Sequence, residues 1–280
     1  MKKIKFILIF GASSGISKYY IENSKKINNF SIIITCRSKS NIYNFKKKFK
    51  GKKNYYFYRL DASKEKDVKQ LKKKLANNKI NPRIILNFCG DIGEGGKISE
   101  LSSRRWKDTI NNNLLSFFNI SKYFIPMLLK ENNPLFINFS GGGALMPQPT
   151  LNAYSASKAA IVRLIENISL EFKKLNIIAI APGAINTKIF SKISKQKNKL
   201  SKNLKIEIKN RIKFGGDEIS MPSKLIDNLI NNKYIHALSG KIISAKYDNL
   251  NKILMNRKYI KNHDLTLRRV DKVLKVPKYL

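Results

Sequence analysis

The feature that most constrains this chain is the alternation of short apolar, β-branched runs with longer lysine-rich stretches of helical period. Seven such runs are candidate strands: Lys5 to Phe10, Phe30 to Thr35, Tyr55 to Leu60, Arg83 to Phe88, Leu135 to Ser140, Leu175 to Ala181 and Lys241 to Ala245. Most are continuously apolar, the pattern of strands buried on both faces of a parallel sheet. Between the fifth and sixth runs, Ile161, Leu164, Ile165, Ile168 and Phe172 fall three and four residues apart and make one apolar helix face. Such repetition predicts an α/β fold: a single doubly wound domain with a mostly parallel sheet of about seven strands and helices on both faces. No Pro/Gly-rich linker divides the 280 residues. Segments near 186–222 and 247–280 read as less regular.

Lysine and arginine outnumber aspartate and glutamate 56 to 18, a net charge of +38. That excess is the usual footprint of a nucleic-acid or anionic-membrane partner. Here 46 of the basic residues are Lys and only 10 are Arg, whereas readers of phosphates and bases lean on the planar Arg fork. The lysines lie scattered in short runs such as Lys46 to Lys48 and Lys72 to Lys74. Lys, Asn and Ile, all abundant, share A/T-rich codons, so base composition accounts for the charge and no nucleic-acid partner is expected. The apolar opening Ile4 to Phe10 is far shorter than the roughly 20 residues of a membrane span and runs into a glycine turn, not a cleavage site. The expectation is a cytoplasmic protein without a membrane partner. Cys36 and Cys89, the only cysteines, are too few for a disulfide framework or a structural metal site.

The first strand ends in Phe10-Gly11-Ala12-Ser13-Ser14-Gly15-Ile16-Ser17 and leads into a candidate helix. Glycines at a first strand-to-helix turn let the backbone approach a pyrophosphate, whose charge the helix N-terminus meets. At the end of the second strand a carboxylate would bind a ribose 2′-OH; this chain has Cys36 followed by Arg37, which favours a 2′-phosphate and hence NADP(H) over NAD(H). Tyr154 and Lys158 stand four apart, on one face of a helix. An ammonium beside a phenol favours the phenolate, bringing a group of reference pKa about 10 toward use as an acid near neutrality.

In this order and spacing the chain resembles the short-chain dehydrogenase/reductase family over about residues 4 to 246. The resemblance is carried by FGASSGIS at 10–17, Asp61-Ala62 after the third strand, NFCG at 87–90, Trp106 followed by Asn113, and Phe136 to Ser140 on the fifth strand. Tyr154 with Lys158, Pro182-Gly183 with Thr187, and Ser239-Gly240-Lys241 complete it. It implies a Rossmann-type domain over residues 1–248, with a substrate lid around 186–222 and a C-terminal extension over 249–280. It also implies an NADP(H)-dependent carbonyl reductase or alcohol dehydrogenase forming a homodimer or homotetramer. Gly11, Ser13, Ser14, Gly15 and Ile16 would frame the pyrophosphate, Arg37 the 2′-phosphate, Asp61 and Ala62 the adenine, and Asn87 with Gly90 the ribose. Pro182, Gly183, Ile185 and Thr187 would sit by the carboxamide. Tyr154 would protonate the carbonyl oxygen, Lys158 would assist it and hold the nicotinamide ribose, and Asn113 would hold a proton-relaying water.

Departures from the family pattern are informative. The third loop glycine is Ser17, the usual leading Thr is Phe10, and the second residue of the Asn-Asn-Ala-Gly pattern is Phe88. The catalytic serine, normally thirteen residues before the tyrosine, is Gly141, and the nearest hydroxyl is Ser140. Either Ser140 serves as the donor or the carbonyl is held without it, and the glycines at 141–143 make either a tight loop or room for a bulky substrate. The segments FSGGGA, GKIISAKYD and TLRR resemble a subgroup associated with surface-polysaccharide and nucleotide-sugar gene clusters, with Arg268 and Arg269 available to a phosphate or a neighbouring subunit. The substrate reads as a sugar-derived or 3-oxoacyl-type carbonyl. A catalytically impaired cofactor-binding scaffold or sensor is the reading of another class.

Overall fold

The structure, a computed structural model, describes residues 4–230, 232–261 and 263–267. All seven expected strands form: β1 (Phe6–Phe10), β2 (Ser31–Cys36), β3 (Tyr55–Arg59), β4 (Pro82–Asn87), β5 (Leu135–Phe139), β6 (Asn176–Ala181) and β7 (Ile242–Ser244). They make one wholly parallel sheet in the order β3-β2-β1-β4-β5-β6-β7. The described helices are α1 (Gly15–Asn23), α2 (Lys39–Lys48), α3 (Glu65–Asn77), α4 (Ser103–Ile110), α5 (Ser116–Leu128), α6 (Asn152–Glu171), α7 (Lys188–Ser194), α8 (Lys202–Phe214), α9 (Ser220–Ile230) and α10 (Leu250–Met255).

Side chains alternate across each strand, so one continuously apolar run feeds two cores. Ile7 and Ile9 of β1 join a cluster with Tyr20 of α1, Phe45 of α2, Ile226 of α9 and Leu254 of α10. Leu8 and Phe10 join the opposite cluster, with Leu71 of α3, Phe124 of α5 and Ile165 of α6. Ile161, Ile165 and Ile168 of the expected α6 face are buried, and Leu164 and Phe172 pack against the same cluster. Helices α4 and α5 are joined by one π-helical turn at Asn111–Leu115, which buries Asn113. Such turns insert one residue into the helical repeat.

Two segments read as irregular contain helix. The 186–222 region holds α7 and α8, and the start of the C-terminal region holds α10. Their signal was faint because α8 buries only Leu204 and Ile208 in a lysine-dense sequence, too narrow an apolar stripe to stand out. Beyond α10 the chain returns along the outer edge of β7. Ile242 N–H donates to the Leu265 carbonyl at 2.8 Å, and the buried Lys241 ammonium donates to the carbonyls of Lys261 and Asp264 at 2.9 and 2.8 Å. Leu267 then docks on α6, its N–H on Glu166 and its carbonyl on Arg163, while Arg163 and Glu166 pair at 2.5 Å. An open sheet edge is thereby covered. Arg268 and Arg269 lie outside the described residues.

Glu166 is 5% exposed, so Glu166→Ala should remove the acceptor of the Leu267 N–H and the ion pair with Arg163 and lower the unfolding free energy by roughly 1–3 kcal/mol, measured by urea denaturation. No change in the urea midpoint would mean that the return of the chain is held elsewhere.

Candidate active site

The carboxyl ends of β1, β2, β4, β5 and β6 open into one cleft of about 800 Å³. At its head, Gly11 turns with φ +68, and a Cβ there would stand 2.7 Å from Cys89 N and 2.8 Å from the Phe88 carbonyl carbon. The glycine is therefore required by the close approach of β4's end, before any ligand is considered. Ser14 caps α1 by accepting the Ser17 N–H at 3.1 Å. Ser13, Ser14, Gly15 and Ile16 line the cleft, presenting the positive end of α1 to it. Ser17, where the family has glycine, is fully buried and its hydroxyl has no partner.

Arg37 is exposed at the cleft's far end, where it donates to Asn112 Oδ1 at 3.1 Å, and its carbonyl accepts Arg59 Nε at 3.0 Å. Arg59 was not singled out from sequence, although pairing of β2 with β3 sets it opposite Cys36. Asp61 and Ala62 line the same end, with Asp61 Oδ1 accepting both the N–H and the hydroxyl of Ser63. Asn87 is 1% exposed and its amide is committed, donating to Asn138 Oδ1 at 2.6 Å and accepting Cys89 N–H at 3.1 Å. Its side chain thus braces the β4 turn. Phe88 stacks on Phe139 with ring centres 4.5 Å apart, bridging β4 and β5 beneath the cleft.

Asn113 is equally occupied. Its Oδ1 accepts Asp91 N–H at 2.7 Å, and its Nδ2 donates to the Asp91 carbonyl at 2.9 Å and to Ser157 Oγ at 2.8 Å. The amide pins the loop after β4 to α6, one residue from Tyr154's neighbour Lys158. The Lys158 ammonium donates to the Phe139 carbonyl at 2.8 Å and stands 5.9 Å from the centre of the Tyr154 ring. Gly90 backs onto this ammonium. Ser140 is 4% exposed, and its buried hydroxyl has no partner.

Electrostatics here run opposite to the simple expectation for a tyrosine beside a lysine. Burial pushes Tyr154 up to about 12 and lowers Lys158 to about 8. The ammonium bonds a carbonyl oxygen instead of the phenol, so desolvation dominates over its attraction for a phenolate. At neutral pH the phenol is protonated, which is the form an acid requires.

Helices α7 and α8 cross the cleft mouth. Ile92, Leu151, Ile193, Leu200, Leu204 and Ile208 form a third apolar cluster, with Tyr154 and Phe190 at its border. Lys192 pairs with Asp91 at 2.6 Å, and Gln196 bonds Gly95 N–H and the Gly93 carbonyl at 2.8 and 3.1 Å. Arg211 stacks 4.1 Å over Phe190 and donates to the Ile185 carbonyl at 2.9 Å. Pro182, Gly183, Ile185 and Thr187 line the cleft at this end, where Asp217 accepts Ala184 N–H at 2.7 Å and pairs with Lys246 at 2.8 Å. None of these ties was read from sequence, because partners such as Asp91 and Lys192 are about a hundred residues apart with no local signature.

The chain belongs to the short chain dehydrogenase family, whose model matches residues 5–198, and it is an oxidoreductase of that family. It is 25% identical over 187 residues to an NADPH-dependent pterin aldehyde reductase of Arabidopsis thaliana, covering 66% of this chain and 76% of the relative. Over 196 residues it is also 25% identical to a 3-oxoacyl-[acyl-carrier-protein] reductase of Thermotoga maritima, covering 68% and 77%. Among solved structures, a short chain dehydrogenase/reductase from Saccharomyces cerevisiae superposes with a TM-score of 0.77 at 20% identity, over 86% of this chain and 96% of that one. Among the described residues, no helix is long and apolar enough to cross a membrane, and no cluster of metal-binding side chains occurs.

The depressed Lys158 value carries a stability consequence. Its ordinary value is 10.5, so the unfolded chain holds the proton more tightly than the folded one. The cost of burying the cation is full at neutral pH and fades as pH rises from about 8 toward 10.5. Lys158→Met should therefore raise the unfolding free energy at pH 7 by on the order of 1–3 kcal/mol, less the lost bond to Phe139, with a smaller gain at pH 10. Urea melts at the two pH values measure this; an equal or larger gain at pH 10 contradicts it.

Proposed function

We propose that the protein is an NADP(H)-dependent reductase of a carbonyl group, with Tyr154 as general acid. The observation that carries this reading is the convergence, at one end of the cleft, of a half-buried protonated phenol, a buried ammonium lowered to about 8 and the buried, unpartnered hydroxyl of Ser140. An orphaned buried hydroxyl and a cleft headed by the α1 N-terminus suit a dinucleotide whose reacting end lies beside a polarisable oxygen. Ser13, Ser14, Gly15 and Ile16 would hold the pyrophosphate, Arg37 the 2′-phosphate, and Asp61 with Ala62 the adenine. Gly90 and Lys158 would hold the nicotinamide ribose, and Ile185 and Thr187 the carboxamide. When bound, this cofactor supplies or accepts the hydride.

The chain's own work is placement and proton transfer. Tyr154 Oη donates its proton to the substrate oxygen, and Ser140 Oγ donates a hydrogen bond to the same developing oxyanion. Lys158, titrating near 8, replenishes the proton at nearly neutral pH. Asn113 positions Asp91 and α6 and thereby the lysine. In this reading α7 and α8, which cross the cleft mouth, exclude water from the reacting end once substrate is bound. A protonated phenol favours reduction over oxidation near neutrality, and the NADPH dependence named for the Arabidopsis relative supports the cofactor choice.

The walls beyond the phenol include Ile92, Leu145, Met146, Leu151, Ile189 and Leu204. An apolar chamber of this kind favours a 3-oxoacyl-type carbonyl, and the FSGGGA and GKIISAKYD likeness makes a sugar-derived carbonyl the second substrate class to test. Residues 186–222 act as the substrate lid in this reading, and the 249–280 extension is described only as far as Leu267.

Tyr154→Phe should abolish more than about 99% of carbonyl-dependent NADPH oxidation while NADPH still binds, and Ser140→Ala should lower turnover by on the order of a hundredfold. Wild-type turnover by the phenylalanine variant, followed by absorbance, would reject Tyr154 as the general acid, whereas NADPH binding by the wild-type protein without turnover of any carbonyl would shift the reading to a cofactor-binding scaffold. Arg37→Ala should weaken NADPH binding by about one to two decades and leave NADH binding almost unchanged, since a charged hydrogen bond contributes roughly 1.5–3 kcal/mol. Equal loss for both cofactors in fluorescence titration rejects Arg37 as the 2′-phosphate reader.

A further inference from the structure

The glycine at 141 is not explained by its backbone. Its φ of −179 and ψ of 172 are extended angles that any residue adopts. What singles it out is space. A Cβ built on Gly141 would overlap the Tyr154 hydroxyl oxygen, while the ring carbon bearing that oxygen, Cζ, would stay at 3.4 Å and Cε1 at 3.9 Å. Only the reactive atom is in conflict. At the next position, Gly142, a Cβ would meet nothing closer than the Gln148 amide nitrogen at 3.4 Å, so the run of glycines is not uniformly crowded.

From this geometry we infer that Gly141 is the positioning residue for the general acid: its missing side chain is the seat of the Tyr154 oxygen, and any residue with a Cβ displaces that oxygen from its seat. The second oxygen donor then has to come from the preceding residue. Ser140 meets that need, because its N–H is engaged with the Ile180 carbonyl at 2.8 Å while its buried hydroxyl is unengaged. The inference deepens the reductase reading and rests on it for its catalytic part alone. Its unexpected corollary is that Gly141→Ser, which restores a hydroxyl at the position where the family carries its serine, inactivates this protein.

The test is a stability cycle joined to kinetics. Gly141→Ala in the native background should lower the melting temperature by roughly 3–8 °C, as overpacking against a neighbouring side chain does. In a Tyr154→Phe background, which deletes only the conflicting oxygen, the same substitution should cost less than about a third of that. For turnover, Gly141→Ala and Gly141→Ser should both lower kcat by about a hundredfold or more, as an ångström-scale misplacement of a catalytic group does, with NADPH affinity and KM within about threefold of wild type. Equal melting losses in the two backgrounds, or a Gly141→Ser variant as active as wild type, would overturn the inference. Should Gly141→Ser fail to fold alone but fold together with Tyr154→Phe, the seat is confirmed; failure of both to fold counts against it. If wild type reduces no carbonyl at all, the reductase reading fails, while the melting cycle still decides where the phenol sits.

Discussion

Everything in this molecule hangs on the point in the sheet where the order of strands reverses. From β1 the chain moves outward through β2 to β3, then returns to place β4 on β1's other side and continues to β7. Parallel crossovers of one hand carry the helices of the two halves to opposite faces, so nothing covers the gap at the carboxyl ends of β1 and β4. The turn through Gly11, the brace of Asn87 and Asn138, and the stacked Phe88 and Phe139 all lie at this gap. The backbones of β1 and β4 approach so closely there that only glycine fits, which fixes the head of the cleft with the sheet itself.

Much of this was legible in the sequence because parallel strands announce themselves. Continuous, mostly β-branched runs such as Ile32 to Ile34 and Ile177 to Ile180 fit a sheet covered on both faces, where they are buried. The Tyr154 and Lys158 spacing and the FGASSGIS turn survive as local patterns. What was not legible depends on partners far apart in the chain. Asn87 and Asn113 look like free polar ligands in sequence, yet each amide is spent on bracing. The sign of the shift on Tyr154 could not be read either. Spacing places an ammonium near a phenol, but it does not say that the ammonium turns toward the Phe139 carbonyl and leaves desolvation to dominate.

The excess of positive charge and the buried chemistry belong to separate regions. The lysine runs sit on exposed helix faces, such as Lys46 to Lys48 on α2, and leave the strands untouched. Buried lysines are exceptions with named acceptors: Lys158 on Phe139, and Lys241 on the carbonyls of the returning chain. A solvated cation costs little; a buried one has to be met by oxygen dipoles. The same rule thus produces a tie for the sheet edge in one place and a buried ammonium at the foot of the cleft in the other.

The π-helical turn at Asn111–Leu115 has a reach beyond the amide it buries. Each residue advances a helix by about 100°, so the inserted residue sets the angular phase of all that follows. Phe117, Ile120, Phe124 and Leu128 of α5 face the core in that phase. A deletion that regularised the turn would swing this apolar face toward water as well as withdraw Asn113 from Asp91. The brace behind Lys158 and the packing of a thirteen-residue helix are therefore a single inheritance, and neither can drift without the other.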